Sequence, residues 1–324
     1  MAVYLYQSDS YDGWRNLATD RFFLEHLDKN DILLYLYVNE NAVIIGKNQN
    51  AWRECNSEAM EKDGVQLVRR HTGGGAVFHD RGNLNFSFVM GEQNYDLSRQ
   101  IGVIQRAVSA LGLTAELSGR NDILIDGKKF SGNAFASSKG MRAHHGTILV
   151  NTDMSRLASY LNVSQKKMKA KGVTSVKSRV CNLRDLSSGA DIATVKSLLK
   201  DEFIKEYGEY EEYALTPAQL QTVDELYAVE ASWDWRFGHT PSFDYQIEDR
   251  FSFGEMQFFF CVKEGRVQSI SVFSDALDTA LAEQVKQCLT GVMFTPHRIA
   301  EKLMQHSPRA EFCEIAKYIE TITF

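Results

Sequence analysis

Several protein classes are excluded by what the chain lacks. It has only 4 prolines and 22 glycines in 324 residues, far below collagen-like or low-complexity levels. Its longest apolar run is Ile32 to Val38, against the ~20 residues needed to span a bilayer. The opening Met-Ala-Val-Tyr-Leu-Tyr-Gln has neither the basic nor the apolar region of a secretory leader. Its cysteines number five, with no CxxC spacing, which argues against a disulfide framework or a structural zinc site. Net charge is −6, which disfavours whole-molecule nucleic-acid binding. What remains is a cytoplasmic, soluble protein of about two domains at the usual ~150 residues each.

The first two-thirds of the chain alternates strand-like and helix-like segments. Ile32–Val38 and Val43–Ile45 read as buried strands separated by the turn residues Asn39 and Asn41. In the segment from Leu84 to Met90, Leu84, Phe86 and Phe88 recur at period two, which predicts a half-buried strand. Asp96 offers an N-cap to a helix striped by Leu97, Ile101, Ile104, Val108 and Leu111, with Gly112 as terminator. Asp126-Gly127 between two strand-like runs is a strong hairpin signal. A helix is expected from Ile192 to Tyr207, closed by Gly208, and another from the capping box Thr216-Pro-Ala-Gln219. Around residues 238–245 the pattern changes. Two strand-like runs joined across Lys263-Glu-Gly265 are followed by two helical stretches, which predicts a small ββαα domain.

Four segments carry candidate chemistry. The first is Arg69-Arg-His-Thr-Gly-Gly-Gly-Ala-Val-Phe-His-Asp80. Consecutive glycines let backbone N–H groups approach an anion, and two arginines add fork-shaped positive charge. The same pattern also suits a glycine-rich turn with solvated arginines, and it is neither a Walker A nor a dinucleotide fingerprint. The second is Gly119-Arg-Asn-Asp122 followed by Lys129-Phe-Ser-Gly-Asn133. The Asp126-Gly127 turn sets Leu124 opposite Lys129, so the lysine shares the face of an apolar residue. Such a lysine either snorkels to the surface or neutralises charge on a phosphoryl oxygen and a carboxylate together. The third is His144-His145-Gly-Thr147, whose adjacent histidines face opposite sides of a strand and make poor partners for one metal. The fourth is the basic run from Lys166 to Arg179, which reads as a solvated face or as a loop folding over an anionic ligand.

These segments, together with Gly82-Asn-Leu-Asn-Phe-Ser87 and Trp233-Asp-Trp-Arg-Phe-Gly-His-Thr-Pro-Ser-Phe243, resemble in this order the lipoate–protein ligase A family. The resemblance covers residues 1–245 as a catalytic domain and 246–324 as a small C-terminal accessory domain. It implies an α+β fold: a mixed, largely antiparallel sheet of the biotin/lipoyl protein ligase type with flanking helices. It also implies ATP-dependent, magnesium-assisted activation of lipoate to lipoyl-AMP with release of pyrophosphate. The lipoyl group then passes to a lysine of apo lipoyl domains of 2-oxoacid dehydrogenase complexes or of glycine-cleavage H protein. No nucleic-acid or membrane partner is implied.

Position by position, Lys129 matches the family's catalytic lysine. Arg70 and the backbone of Gly75, Ala76, Val77 and Phe78 match nucleotide-binding positions, and Gly73 and Gly74 match the adjoining lipoyl path. Asn121 and Asp122 match polar residues near the phosphates and magnesium, while no residue is assigned as a certain metal ligand. Lys171–Arg179 matches a loop that closes over the adenylate. At Asp20-Arg21 the family often carries two glutamates, a departure expected to affect packing more than chemistry. Leu84, Phe86, Phe88 and Phe78 are candidates to line an acyl tunnel, with core packing as the competing reading.

Two other readings are open. One is an ATP-independent octanoyl or lipoyl transferase of the same fold forming a thioester on Cys181, whose basic surroundings would lower its thiol pKa. The other is a non-catalytic nucleotide or nucleic-acid binding protein using the basic run.

Overall fold

The computed structural model describes residues 1–119, 121–161, 180–237 and 244–322. Arg120, the whole basic run at 166–179 and residues 238–243 lie outside the described residues. The chain forms two compact units. The first comprises Met1–Ile44, Arg53–Arg69 and Ala76–Ser232; the second comprises Ile45–Trp52, Arg70–Gly75 and Trp233–Phe324. No helix among the described residues is long and apolar enough to cross a membrane.

The first unit is α+β. Its strands are β1 (Val3–Gln7), β2 (Ile32–Val38), β3 (Ala42–Ile45), β4 (Gln66–Arg69), β5 (Val77–His79), β6 (Asn83–Gly91), β7 (Ala115–Ser118), β8 (Asp122–Ile125), β9 (Lys128–Ser138), β10 (Met141–Leu149) and β11 (Glu211–Glu212). Eight of them form one sheet in the order β11-β1-β2-β6-β10-β9-β8-β7, and β4-β3-β5 form a second. In the large sheet β1 runs parallel to β2 and β11, and all other pairs are antiparallel. The mixed, largely antiparallel sheet is therefore as expected.

Helices α1 (Gly13–His26), α2 (Leu97–Ser109), α3 (Ile192–Tyr207) and α4 (Pro217–Glu230) flank the large sheet. Their ends obey local chemistry. Asp96 caps α2 by accepting from the N–H groups of Ser98 and Arg99. Thr216 and Gln219 close a reciprocal capping box on α4, and Gly208 ends α3 at φ +97°. The stripe Ile101, Ile104 and Val108 of α2 packs with Val195, Leu199 and Phe203 of α3 against Leu84, Phe86, Phe88 and Ile148 of the sheet. The opposite face packs Leu33, Tyr35, Val89 and Ala143 against Leu17, Phe22 and Phe23 of α1 and Val223 of α4.

Covering both faces corrects one expectation. Strand β6 is buried along its whole length, not half-buried, because it lies between β2 and β10 at the centre of the sheet. Its alternation separates two buried faces, one apolar and one carrying Asn83, Asn85 and Ser87.

The second unit contains β12 (Tyr245–Phe251), β13 (Gly254–Lys263) and β14 (Arg266–Ser274) as an antiparallel sheet, then α5 (Leu281–Leu289), α6 (Pro296–His306) and α7 (Ala310–Glu320). Its order is βββααα, one strand and one helix more than the sequence reading. The added strand, Tyr-Gln-Ile-Glu-Asp-Arg-Phe, lies at the sheet edge, where charged residues mask its apolar alternation. Phe258, Phe260, Ile270, Leu281, Val285, Ile299, Leu303, Phe312 and Ile315 form its core.

Candidate active site

Lys129 is the second residue of β9, two positions after the Asp126-Gly127 turn. Both turn residues have positive φ (50° and 73°), as a two-residue hairpin loop with native twist requires. The predicted register holds: Ile125 pairs with Lys128 and Leu124 with Lys129. The register then shifts, so Ser131 pairs with Ile123 and Gly132 with Asp122, leaving Phe130 as the extra residue of a β-bulge. Phe130 and Ser131 are both fully buried. The bulge therefore puts Lys129 and Gly132 on one face, although an odd spacing of three would separate them in a regular strand. On that face the Lys129 ammonium meets the Asp122 carboxylate at 2.7 Å. The side chains are 32% and 40% exposed, so the pair is worth only about 0–1 kcal/mol. An incoming anion can replace Asp122 at little cost.

The backbone under this lysine is held firmly. The Lys129 carbonyl accepts from the Cys181 N–H at 2.9 Å, and Val180 forms a parallel bridge to Lys129. Asn121 does not point its amide outward. Its Nδ2 donates to the Asn133 carbonyl at 2.9 Å, and its own carbonyl accepts from Asn133 N and Nδ2. The Asn133 Oδ1 lies 2.8 Å from Nε2 of His144, whose Nδ1 lies 2.9 Å from Gln100 Oε1 of α2. A buried chain of amides and imidazole thus ties the Lys129 hairpin to α2. Burial pushes the His144 pKa down to about 3, with the neighbouring His145 adding to the shift, so the ring is neutral. A neutral imidazole carries one N–H and donates to only one of the two amides.

His145 faces the other way, as its strand position predicts, and its Nδ1 lies 2.8 Å from Asp20 Oδ2 of α1. Adjacent Arg21 instead pairs with Glu25 at 2.8 Å and with buried Glu230 of α4 at 3.7 Å. Arg21 thus links α1 to α4. Asp20 meets the histidine motif itself, on the sheet face that carries Lys129. Strand pairing sets Tyr37, Asn85, Thr147, Gly132 and Asp122 in one row across that face. The next row holds Tyr35, Ser87, His145 and Ala134.

This overturns the expected tunnel lining. Leu84, Phe86 and Phe88 are fully buried on the opposite face, packed on α2 and α3, and Phe78 packs on Tyr160 beside Arg156. Period two identified one face but not which of two buried faces faces the chemistry. Cys181 also departs from expectation. It is buried, its thiol lies 3.7 Å from the Lys128 carbonyl, and burial raises its pKa more than Lys128 lowers it.

The glycine segment is described within the second unit. Arg70 is buried, not solvated: its Nε donates to Thr72 Oγ1 (3.0 Å) and Gly73 O (3.2 Å), and its Nη2 to the carbonyls of Gly73 (2.7 Å) and Gly75 (2.9 Å). The guanidinium draws the loop around itself and fixes its shape. The three glycines differ. A Cβ on Gly73 would stand 2.1 Å from the Ala276 carbonyl, and the Gly74 N–H donates to that same oxygen. Gly75 is exposed, and no described residue comes within 4 Å of where a Cβ would stand. Of the three, only Gly75 presents unobstructed backbone. In the first unit Val77 and Phe78 continue as β5, paired with Ile44 and Val43, with Ala76 half-buried before them. Arg69 is likewise buried, and desolvation pushes its pKa down to about 10.

Residues 12–204 match the model of the lipoyl protein ligase A/B catalytic domain. The chain belongs to this family. Residues 240–320 match the bacterial lipoate protein ligase C-terminus. Among solved structures the chain is similar to Plasmodium falciparum LipL1 in complex with lipoate, with 28% identity, 99% of this chain and 100% of that one covered, and a TM-score of 0.87. It is also similar to a bi-partite lipoate protein ligase from Thermoplasma acidophilum, described with its E2 lipoyl domain (30% identity, 75% and 98% covered, TM-score 0.67). A lipoate-protein ligase A bound with ATP gives 29% identity, with 74% of this chain and 99% of that one covered, at a TM-score of 0.62. The catalytic-domain match contains Arg70 to Phe78, Asn121, Asp122 and Lys129.

Two features escaped the sequence reading. The bulge at Phe130 has no residue signature beyond the odd spacing between Lys129 and Gly132. The Asp20–His145 pair joins positions 125 residues apart, which only the packing of α1 on β10 brings together.

Proposed function

We propose that the protein is an ATP-dependent lipoate–protein ligase. The observation that carries this reading is the Lys129 ammonium, accessible on the sheet face and held by a weakly bound, replaceable carboxylate. Lipoate and ATP are both anionic, so joining them requires positive charge and N–H donors at the junction. Lys129 exchanges Asp122 for the lipoate carboxylate and the α-phosphate, and screens their repulsion as the carboxylate oxygen attacks phosphorus and pyrophosphate leaves. Arg70 shapes the glycine segment, and Gly75, Ala76, Val77 and Phe78 offer backbone to the nucleotide, with Gly73 and Gly74 beside the acyl path. The acyl chain runs along the face bearing Thr147, Asn85 and Ala134 rather than against Phe86 and Phe88.

Magnesium fits this site as an ion borne mainly by ATP. Among the described residues no group of three or more His, Cys, Asp or Glu side chains is arranged to hold a metal ion, and Asp122 is the carboxylate beside Lys129. Magnesium typically takes one or two carboxylates plus substrate phosphates. Asp122 is the residue that would hold the ion, whose charge would offset that of the phosphates. In the second half-reaction the acceptor lysine amine, from an apo lipoyl domain or glycine-cleavage H protein, attacks the acyl carbon and AMP departs. The mixed anhydride is already activated, so no enzyme nucleophile is needed. The buried Cys181 thiol counts against a thioester route. In this reading residues 1–245 are the catalytic domain and 246–324 the accessory domain.

The test is incubation with ATP, lipoate and an apo lipoyl domain, followed by intact-mass measurement of the acceptor. One added lipoyl group, dependent on ATP and absent with Lys129→Ala, is the expected result. Lipoylation without ATP, or by the Lys129→Ala variant at the normal rate, overturns the reading.

A further inference from the structure

Gly132 is the residue that the bulge brings beneath the Lys129 side chain. A Cβ built on it would stand 2.8 Å from the lysine Nζ and 2.9 Å from Cε, closer than real Cβ contacts allow. No backbone demands a glycine there. Gly132 lies in the extended strand β9 and not among the residues of positive φ. Its other near neighbour, Thr147 Oγ1, is at 3.8 Å, an ordinary contact. Among the described residues, only the tip of Lys129 occupies the space that a methyl group would take. This contrasts with Gly146 on the neighbouring strand, where a Cβ would meet the Phe86 ring at 2.5 Å and a backbone carbonyl at 2.8 Å. There the glycine serves strand packing.

Resting on the ligase reading above, we propose that Gly132 is a positioning residue for Lys129. Its missing side chain forms the bed on which the ammonium lies, level with Asp122 across the strand pair. Three features combine to set the ammonium: the bulge turns Lys129 to this face, Asp122 fixes the resting point of Nζ, and the bare Cα of Gly132 lets the lysine stem lie flat between them. An alanine lifts the stem off the sheet. The tip is flexible, so the fold absorbs the change while the ammonium moves from the place where the carboxylate and α-phosphate meet.

The experiment compares the full-length wild type with Gly132→Ala, Lys129→Ala and the double variant. Two readouts are used. Without substrates, the labelling rate of Lys129 by a neutral amine-acylating reagent is followed by peptide mass; with substrates, lipoate-dependent ATP–pyrophosphate exchange is measured. For Gly132→Ala the expected outcome is faster labelling of Lys129. Exchange kcat should fall on the order of 100-fold, as for a reacting group misplaced by about an ångström. KM for ATP and lipoate should change less than kcat, since the ammonium contributes more to the transition state than to ground-state binding. In the Lys129→Ala background the same alanine should leave the melting temperature unchanged or raise it, because the clashing tip is gone and a glycine has been removed from the unfolded chain. Unchanged labelling with unchanged kcat overturns the proposal. So does a Gly132→Ala destabilisation that persists in the Lys129→Ala background, for the conflict is then with something other than the lysine. A wild type that shows no exchange, while labelling still responds to Gly132→Ala, sinks the ligase reading and leaves the positioning intact.

Discussion

Acidification should unfold this protein partly through one histidine. His144 is fully buried among the rings of Phe86, Phe88 and Phe135, and burial holds its pKa near 3 against an ordinary 6.5. Below pH 6.5 the unfolded chain binds a proton at this position that the native state refuses. Stability therefore rises with pH, is complete above about 6.5, and is lost progressively as pH falls toward the native value. At pH 5, about 1.5 units below the unfolded pKa, the loss amounts to about 2 kcal/mol at 1.36 kcal/mol per unit. Other groups titrate over the same range, so the comparison is with His144→Gln, which removes the ionisation and keeps a polar side chain between Gln100 and Asn133. Urea unfolding at pH 7.5 and pH 5 measures each difference. The wild type should lose about 2 kcal/mol more than the variant over this interval. Equal losses would show that His144 takes up no proton on unfolding and would refute the argument. Because Asn133 joins His144 to Asn121, acid that unseats the ring should also loosen the Lys129 hairpin, and hydrogen exchange at residues 121–133 should accelerate at pH 5 in the wild type more than in the variant.

Three further outcomes can be checked. Phe130→Ala empties a fully buried bulge position and should cost about 3–5 kcal/mol in urea unfolding; a loss under about 1 kcal/mol would mean the bulge is not anchored by this ring. Cys181→Ser should keep ATP-dependent lipoylation within about twofold of wild type, since the residue serves Lys129 through its backbone N–H; complete loss of transfer would favour the thioester route. Thr216→Ala removes one half of the capping box on α4 and should lower stability by about 1 kcal/mol without changing exchange kinetics.

Local interactions made much of this molecule readable from its residues. Asp96, Thr216 and Gly208 mark helix ends because caps act on backbone groups two or three positions away. Asp126-Gly127 sets the initial hairpin register because only a few residues tolerate positive φ. The ordered blocks around Arg70, Asp122, Lys129 and His145 carried the family likeness, because the chemistry of joining two anions restricts which residue types can serve. Tertiary structure decided what depends on distant partners. Whether β6 is covered on one face or two depends on α1 and α2 arriving from opposite sides. The inward turn of the Arg70 guanidinium depends on carbonyls that appear only once the loop is closed. Lys129 and Gly132 share a face because burying Phe130 and Ser131 together inserts a bulge, and no alternation rule counts an extra residue in a strand. Sequence determined which groups are available; packing on both sides of the sheet determined where they point, since apolar burial is non-directional and becomes specific only when every surrounding element is in place.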